Sequence, residues 1–149
     1  IPLFFSSKVS IKLCMFLSVF MPLVKIYLKN RVAIDKKGIA NSLRVIMQQV
    51  LHVPLQDGPV TFLEIEESNW FMPEGWDEEF VFVEVLMFPG RKKETKETLI
   101  SEFADAFSQF LNISKNSIIT TLHEPNLDNW GIRGRKQASS VGINFDLDV

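Results

Sequence analysis

The chain has 149 residues, of which 46% are hydrophobic, and these values fit one globular domain. A formal net charge of -2 excludes the strongly basic surface with which proteins bind nucleic acid or anionic membranes. A single cysteine, Cys14, excludes a disulfide framework and a thiolate metal cage. His52 and His123 share no metal-ligand spacing and are interpreted as helix-end or strand residues. We therefore expect no metal, no cofactor, no nucleic-acid or membrane partner, and a reducing, cytoplasmic location.

Residues 1–20 differ in composition from the rest, because they contain no acid, no Gly, no Ala and no Arg. A transmembrane helix needs about 20 apolar residues, but Lys12 and Lys25 bracket only twelve. A signal peptide would need a small-residue cleavage site, which this segment lacks. A genuine N-terminal arm is a third interpretation. We favour a fourth, in which translation starts at Met21, residues 1–20 are an extension read through from an untranslated leader, and 21–149 form the domain.

The first half of the domain has the pattern strand, helix, strand. Residues 22–28 are short, apolar and partly β-branched, which predicts a strand. Apolar residues at helical spacing then follow a helix-capping Asp35, namely Ile39, Leu43, Ile46, Met47 and Val50. Residues 60–66 predict a second strand after the turn signal Gln56-Asp57-Gly58-Pro59.

The second half repeats this pattern. Residues 80–88 predict a strand, residues 117–123 predict another, and the helix between them is marked by Leu99, Phe103, Ala106, Phe107 and Phe110. Identical or similar residues also recur with a shift of 60 positions: Arg31 and Arg91, Lys36 and Lys96, Leu51 and Leu111, Val53 and Ile113, Asn69-Trp70 and Asn129-Trp130. Together these matches indicate a duplicated unit, with repeats at about 22–70 and 80–130.

The predicted fold class is α/β (α+β), with duplicated βαβ units. A helix that links two strands of one sheet makes them parallel, so two units give a four-stranded mixed sheet with both helices on one face. The strand 80–88 is apolar at every position except Glu84, whereas a strand with one face in water should alternate. We therefore expect another subunit to cover the second face. The alternative, a monomer with an exposed apolar face, is rare among soluble proteins.

Common catalytic motifs are absent, including GxSxG, the Walker loop, GxGxxG and HExxH. Three segments instead resemble the tautomerase superfamily in its longer members with two fused βαβ units, a group that includes malonate semialdehyde decarboxylase-like proteins. These segments are Met21-Pro22-Leu23-Val24-Lys25-Ile26, Leu86-Met87-Phe88-Pro89-Gly90-Arg91 and Asn129-Trp130-Gly131-Ile132-Arg133-Gly134. The resemblance runs from 21 to about 138. It implies a homotrimer and a proline that becomes N-terminal when Met is removed.

Pro22 is the candidate catalytic base. A reference α-amino group titrates near 7.7–8.0, and burial together with a nearby cation lowers that pKa toward neutrality. An N-terminal proline can then take a proton from the carbon next to a carbonyl. In the alternative interpretation, Pro22 merely begins an edge strand. If the preceding residues are retained, its nitrogen is an amide and cannot act as a base.

The other candidate site residues are Arg91, Asp57, Trp130, Arg133 and Asn129. Arg91 follows a tight turn at the start of the second helix, where its guanidinium can hold a carboxylate; a solvated surface arginine is the alternative. Arg133, with Arg135, lies in a glycine-flanked loop that supplies either a second cation or plain surface charge. Trp130 is interpreted as a pocket wall, a subunit contact or a core residue, and Asn129 beside it as a substrate contact.

Asp57 matches the position at which decarboxylase-like relatives carry an acid that assists the proline, although Asp-Gly is also a common turn. By this resemblance, the relatives have two arginines around the turn, whereas this chain has Pro89 where the first would fall and keeps only Arg91. We therefore expect a tautomerase acting on a small 2-oxo or unsaturated carboxylic acid. The alternatives are a malonate semialdehyde decarboxylase- or hydratase-like lyase, or a non-catalytic relative if Pro22 is not the N-terminus.

Overall fold

The computed structural model describes residues 22–31, 33–132, 134 and 136–141, and these form two βαβ units followed by a short hairpin and a helical turn. The first unit consists of β1, α1 and β2, at Leu23–Lys29, Lys36–Leu51 and Val60–Ile65. The second consists of β3, α2 and β4, at Val81–Leu86, Lys93–Leu111 and Ile118–His123. After them come β5, β6 and α3, at Gly131–Ile132, Lys136–Gln137 and Ala138–Val141. The predicted extension, residues 1–20, lies outside the described residues.

The main sheet has the strand order β2-β1-β3-β4. The pairs β1–β2 and β3–β4 are parallel, as the crossover argument requires, whereas the central pair β1–β3 is antiparallel. The two units are therefore related by an approximate two-fold axis through the middle of the sheet. The predicted fold class, a four-stranded mixed sheet built from duplicated βαβ units, is confirmed.

Local sequence signals explain where the two long helices begin and end. The Asp35 carboxylate accepts a hydrogen bond from the Gly38 backbone N–H at 2.8 Å, so the predicted cap of α1 is confirmed. His52 ends this helix in the left-handed conformation, with φ 56°, and Asn112 ends α2 in the same way, with φ 52°. His123 is the last residue of β4. Both histidines therefore occupy the helix-end and strand positions that the sequence predicted.

Both long helices cover the same face of the sheet. Alternate residues of the two central strands point into the main core, namely Val24, Ile26, Leu28, Val81, Val83 and Val85. They meet the buried stripe of α1, which includes Leu43 and Met47, and that of α2, which includes Phe103 and Phe107. No helix among the described residues is long and apolar enough to cross a lipid bilayer.

The opposite face of the sheet carries a continuous apolar row, which we call the open-face row. It consists of Leu63, Tyr27, Phe82 and Ile119, one residue from each strand, and the strand register places them side by side. The Phe82 side chain is 39% exposed. The Phe80 ring, in the loop before β3, contacts the Phe82 ring of this row, with centroids 5.1 Å apart. The predicted covering subunit stays a prediction.

Candidate active site

The topology brings the candidate residues to one end of the sheet. Strands β1 and β2 begin at this end, and β3 and β4 finish there, because Leu23 pairs with Leu86 and Leu86 pairs with His123. Residues before β1 and β2 and after β3 and β4 therefore lie at this end of the sheet. Those residues include Pro22, Asp57, Arg91, Asn129 and Trp130.

Pro22 lies directly beside the turn that carries Asp57. The Val24 backbone N–H donates to the Pro59 carbonyl at 2.9 Å, which extends the β1–β2 pairing toward Pro22. Gly58 has φ +93°, and a Cβ atom there would lie 3.2 Å from the Pro22 carbonyl oxygen and 2.9 Å from Cε of Met47. Glycine is therefore required both for the backbone conformation and for this close approach.

Asp57 is a buried acid in this turn, with 7% of its surface exposed. Its backbone N–H donates to the Pro54 carbonyl at 3.0 Å, which closes the turn. Carboxylates are seldom buried to this degree unless nearby groups compensate for the lost hydration. Asp57 is therefore not a solvent-exposed turn residue.

Arg91 is also buried, with 4% of its surface exposed. Its Nη1 donates to the Phe88 carbonyl oxygen at 3.0 Å, across the turn that leaves β3. Burial lowers the pKa of the Arg91 guanidinium, and the negative charge of Glu124 acts in the opposite direction. An arginine keeps its proton under such conditions, because its reference pKa is far above neutrality. The interpretation of Arg91 as a solvated surface residue is therefore wrong.

Trp130 forms part of a second apolar cluster at this end of the sheet. Buried Phe88 and Ile132 lie in this cluster, and Leu23, next to Pro22, packs against it. The Trp130 ring meets the Phe88 ring edge-on, with centroids 5.4 Å apart, and its Nε1 donates to the Pro125 carbonyl at 3.1 Å. Asn129 is exposed in the preceding turn. Arg133 and Arg135 lie outside the described residues.

Glu124 is a site neighbour that the sequence analysis did not identify. It follows the end of β4 and accepts a hydrogen bond from Nζ of Lys96 in α2 at 2.9 Å. Its charge also acts on Arg91. The available signal was its position one residue after a predicted strand that ends beside Arg91. Among the described residues, no group of three or more His, Cys, Asp or Glu side chains is arranged to hold a metal ion.

Known proteins match this chain in two ways, in the sequence of one part of it and in its fold. A family model described as tautomerase enzyme matches residues 61–133. A protein inactivated by 2-oxo-3-pentynoate has 18% identity and a TM-score of 0.74, over 80% of this chain and 98% of that one. A fused 4-OT described as an asymmetric trimer has 17% identity and a TM-score of 0.73, with the same coverage.

A malonate semialdehyde decarboxylase is also similar, with 22% identity and a TM-score of 0.63 over 76% of this chain and 92% of that one. At these identities the structural likeness shows the fold, and the family model adds a match in sequence. The sequence resemblance rested on three short segments, and the similar structures add the same fold to it. Residues 61–133 thus match the tautomerase family model in sequence, and the fold is that of tautomerase superfamily proteins.

Proposed function

We propose that this protein is a tautomerase-type enzyme that transfers a proton between the enol and keto forms of a small 2-oxo or unsaturated carboxylic acid. The observation that supports the proposal is that Pro22, Asp57 and Arg91 all lie at one end of the sheet, with both charged side chains buried. Pro22 is the general base, Arg91 holds the substrate carboxylate and Asp57 assists the proline. Trp130, Asn129 and Arg133 contact the substrate.

The reaction requires a free amine, so we propose that the mature chain begins at Pro22. In the enol-to-keto direction, the neutral proline nitrogen first accepts the enol hydroxyl proton, which leaves an enolate and a prolinium ion. The electron pair of the enolate carbon–carbon double bond then takes a proton from the prolinium nitrogen, which forms the ketone and regenerates the neutral amine. Proton transfer of this kind is efficient when the pKa of the base lies near the working pH. A cation at this end, such as Arg91, lowers the pKa of the amine in that direction.

Arg91 suits the carboxylate of the substrate. A guanidinium has five N–H donors in a planar fork, and a carboxylate engages two of them. The Phe88 carbonyl takes one donor and fixes the orientation of the side chain. Because the group is buried, its attraction for an anion is screened less than it would be in open water. Trp130 and Phe88 supply an apolar wall for the remainder of a small substrate.

A second candidate is a decarboxylase- or hydratase-like lyase in which protonated Pro22 acts as an acid. The contact between Pro22 and the Asp57 turn favours it, because a nearby carboxylate stabilises an ammonium ion and raises its pKa. Pro89 favours simple enol–keto transfer, because it stands where the resemblance to decarboxylase-like relatives implies a second arginine. The pKa of Pro22 distinguishes these functions, since tautomerisation needs a value near neutrality and the acid role a clearly higher one.

The test uses a chain whose translation begins at Met21, with intact mass to verify that Pro22 is N-terminal. We expect conversion of phenylpyruvate enol to its keto form, with a pH–rate profile that reports the pKa of Pro22. Pro22→Ala should lower kcat by about 10²- to 10⁴-fold, the range of general-base contributions. A matched chain with one glycine before Pro22 keeps the ring but converts its amine to an amide, and should be inactive. Activity in that chain would overturn the proposal.

We further propose a homotrimer. The open-face row gives each subunit an apolar surface, and the similar fused 4-OT proteins are described as trimers, one asymmetric and another symmetric. If the nitrogen of Pro22 is acylated in the mature protein, the same fold and assembly would instead belong to a non-catalytic, ligand-binding relative. Mass measurement of the native N-terminus separates the two.

A further inference from the structure

We propose that a pocket at the opposite end of the sheet from Pro22 binds a small organic cation of the alkylammonium class. The pocket has a volume of about 330 Å³, at the small end of the range for ligand sites. Its walls come from the loop before β3, the turn before β4 and β4 itself, and include Trp76, Asp77, Phe80 and Ser117. Ile119, which also belongs to the open-face row, forms the rim on the side of the proposed subunit interface. This inference is independent of the function proposed for Pro22.

The two-fold relation of the repeats makes this end the counterpart of the candidate active site. Strands β3 and β4 begin here, and β1 and β2 finish here. Trp70 corresponds to Trp130: each follows a 3-10 turn, and each donates its indole N–H to a backbone carbonyl at 3.1 Å. Phe80 precedes β3 as Pro22 precedes β1, and Ser117 lies 60 positions after Asp57. The pocket therefore lies at the end of the sheet that the duplication relates to the candidate active site.

The charges at this end differ from those at the other. Arg31 corresponds to Arg91, but its Nε and Nη2 atoms both contact the Glu79 carboxylate. Lys29 also lies 3.8 Å from the same carboxylate. An internal acid therefore neutralises the cation that would hold a substrate carboxylate. The duplicated end has lost the anion preference that we propose for the first.

Asp77 supplies a negative charge in the pocket. One carboxylate oxygen accepts a hydrogen bond from the Ser117 hydroxyl at 2.6 Å, and the other accepts one from the Glu79 backbone N–H at 2.9 Å. These two hydrogen bonds lower the pKa of Asp77, so the carboxylate is ionised at neutral pH. Two oxygens offer about four acceptor positions, so two bonds leave capacity for an ammonium donor. The carboxylate is oriented before any ligand arrives.

Aromatic rings complete a surface suited to a cation with alkyl groups. Trp76 and Phe80 lie with their ring centroids 5.1 Å apart at a tilt of 52°, and Phe80 makes an edge contact with Phe82. Tryptophan has the most favourable ring face for an ammonium ion. A carboxylate ligand would be repelled by Asp77, and a purely apolar ligand would not use it. Charge and rings together select an alkylammonium ion.

The test is a titration of the whole chain with tetramethylammonium chloride and with butylammonium chloride, followed by the NMR signal of the Trp76 indole N–H. We expect a saturable shift of this signal, and sodium chloride at the same ionic strength should not produce it. Asp77→Asn should weaken binding at least tenfold. Trp76→Leu should also weaken binding at least tenfold, and here the backbone NMR signals of the pocket residues report binding. This variant replaces Asp77→Asn if the latter fails to fold.

Glu74→Gln is the matched control, because it removes one negative charge from the same exposed loop at a residue outside the pocket lining. Its affinity should stay within twofold of the original. Three outcomes would overturn the proposal: no saturable shift, equal weakening in Glu74→Gln and Asp77→Asn, or tighter binding of butyrate than of butylammonium. None of these measurements depends on the N-terminus or on enzyme activity.

Discussion

Arg91 and Arg31 show how two corresponding arginines acquire different chemical roles. Arg91 donates a hydrogen bond to the backbone carbonyl of Phe88, whereas Arg31 contacts the carboxylate of Glu79. Burial and the charge of Glu124 act on Arg91, whereas direct contact with a carboxylate largely neutralises Arg31. Residue type alone therefore does not decide which end of the sheet attracts a substrate carboxylate.

Arg91→Gln should lower kcat/KM for a 2-oxo acid by about 10- to 100-fold, because hydrogen bonds to charged groups contribute about 1.5–3 kcal/mol. The loss should appear mainly in KM if Arg91 only holds the carboxylate. Steady-state kinetics with phenylpyruvate measures this effect, and the thermal midpoint checks the fold. Lys93→Gln is the control, since it removes one positive charge from an exposed residue at the start of α2. Equal losses in both variants would show that Arg91 acts only through general electrostatic attraction.

At the scale of elements, a periodic pattern of apolar residues predicts the strands and helices that bury one face in the core. All four strands and both long helices agree with the predicted segments, because each buries one face and therefore needs a regular apolar pattern. The loop 70–80 has no such pattern, so its Glu79 contact with Arg31 and the pocket around Asp77 were not predictable. Glu124 was missed for a similar reason, since its interaction with Arg91 depends on the neighbouring turn. The resemblance to tautomerases indicated the candidate site residues, and the strand order explains why they lie at one end of the sheet.

Two phenylalanines of helix α2 differ in burial and should therefore differ in their contribution to the free energy of unfolding. The Phe103 side chain is fully buried against the sheet, whereas Phe110, near the helix end, is 42% exposed. Phe103→Ala should lower the free energy of unfolding by about 3–5 kcal/mol, through lost burial and a residual cavity. Phe110→Ala, the same chemical change on the same helix, should cost clearly less. Urea unfolding at equal protein concentration measures both, and similar costs would contradict the assignment of the core face of α2.

At the scale of the whole molecule, duplication makes the fold nearly symmetric but leaves the chemistry asymmetric. A chain has only one N-terminus, so only the first unit can begin with a free amine. The residue that precedes the first strand of the second unit, Phe80, is bonded on both sides within the chain. Under the proposed mechanism the second end takes no part in catalysis, and there the chain carries an internal carboxylate and aromatic rings. This asymmetry is the physical basis for expecting two different ligand preferences in one sheet.

The open-face row decides the assembly that we propose. Phe82→Glu should dissociate the trimer, because it places a charge in the middle of an apolar surface that subunits must desolvate. Phe71→Glu is the matched control: Phe71 is 83% exposed and lies outside the sheet, so the same substitution should leave the trimer intact. Light scattering coupled to size-exclusion chromatography gives the mass of each variant. A trimer that survives Phe82→Glu would show that the subunits meet through another surface, whereas dissociation by both variants would indicate a loss of solubility or fold unrelated to this face.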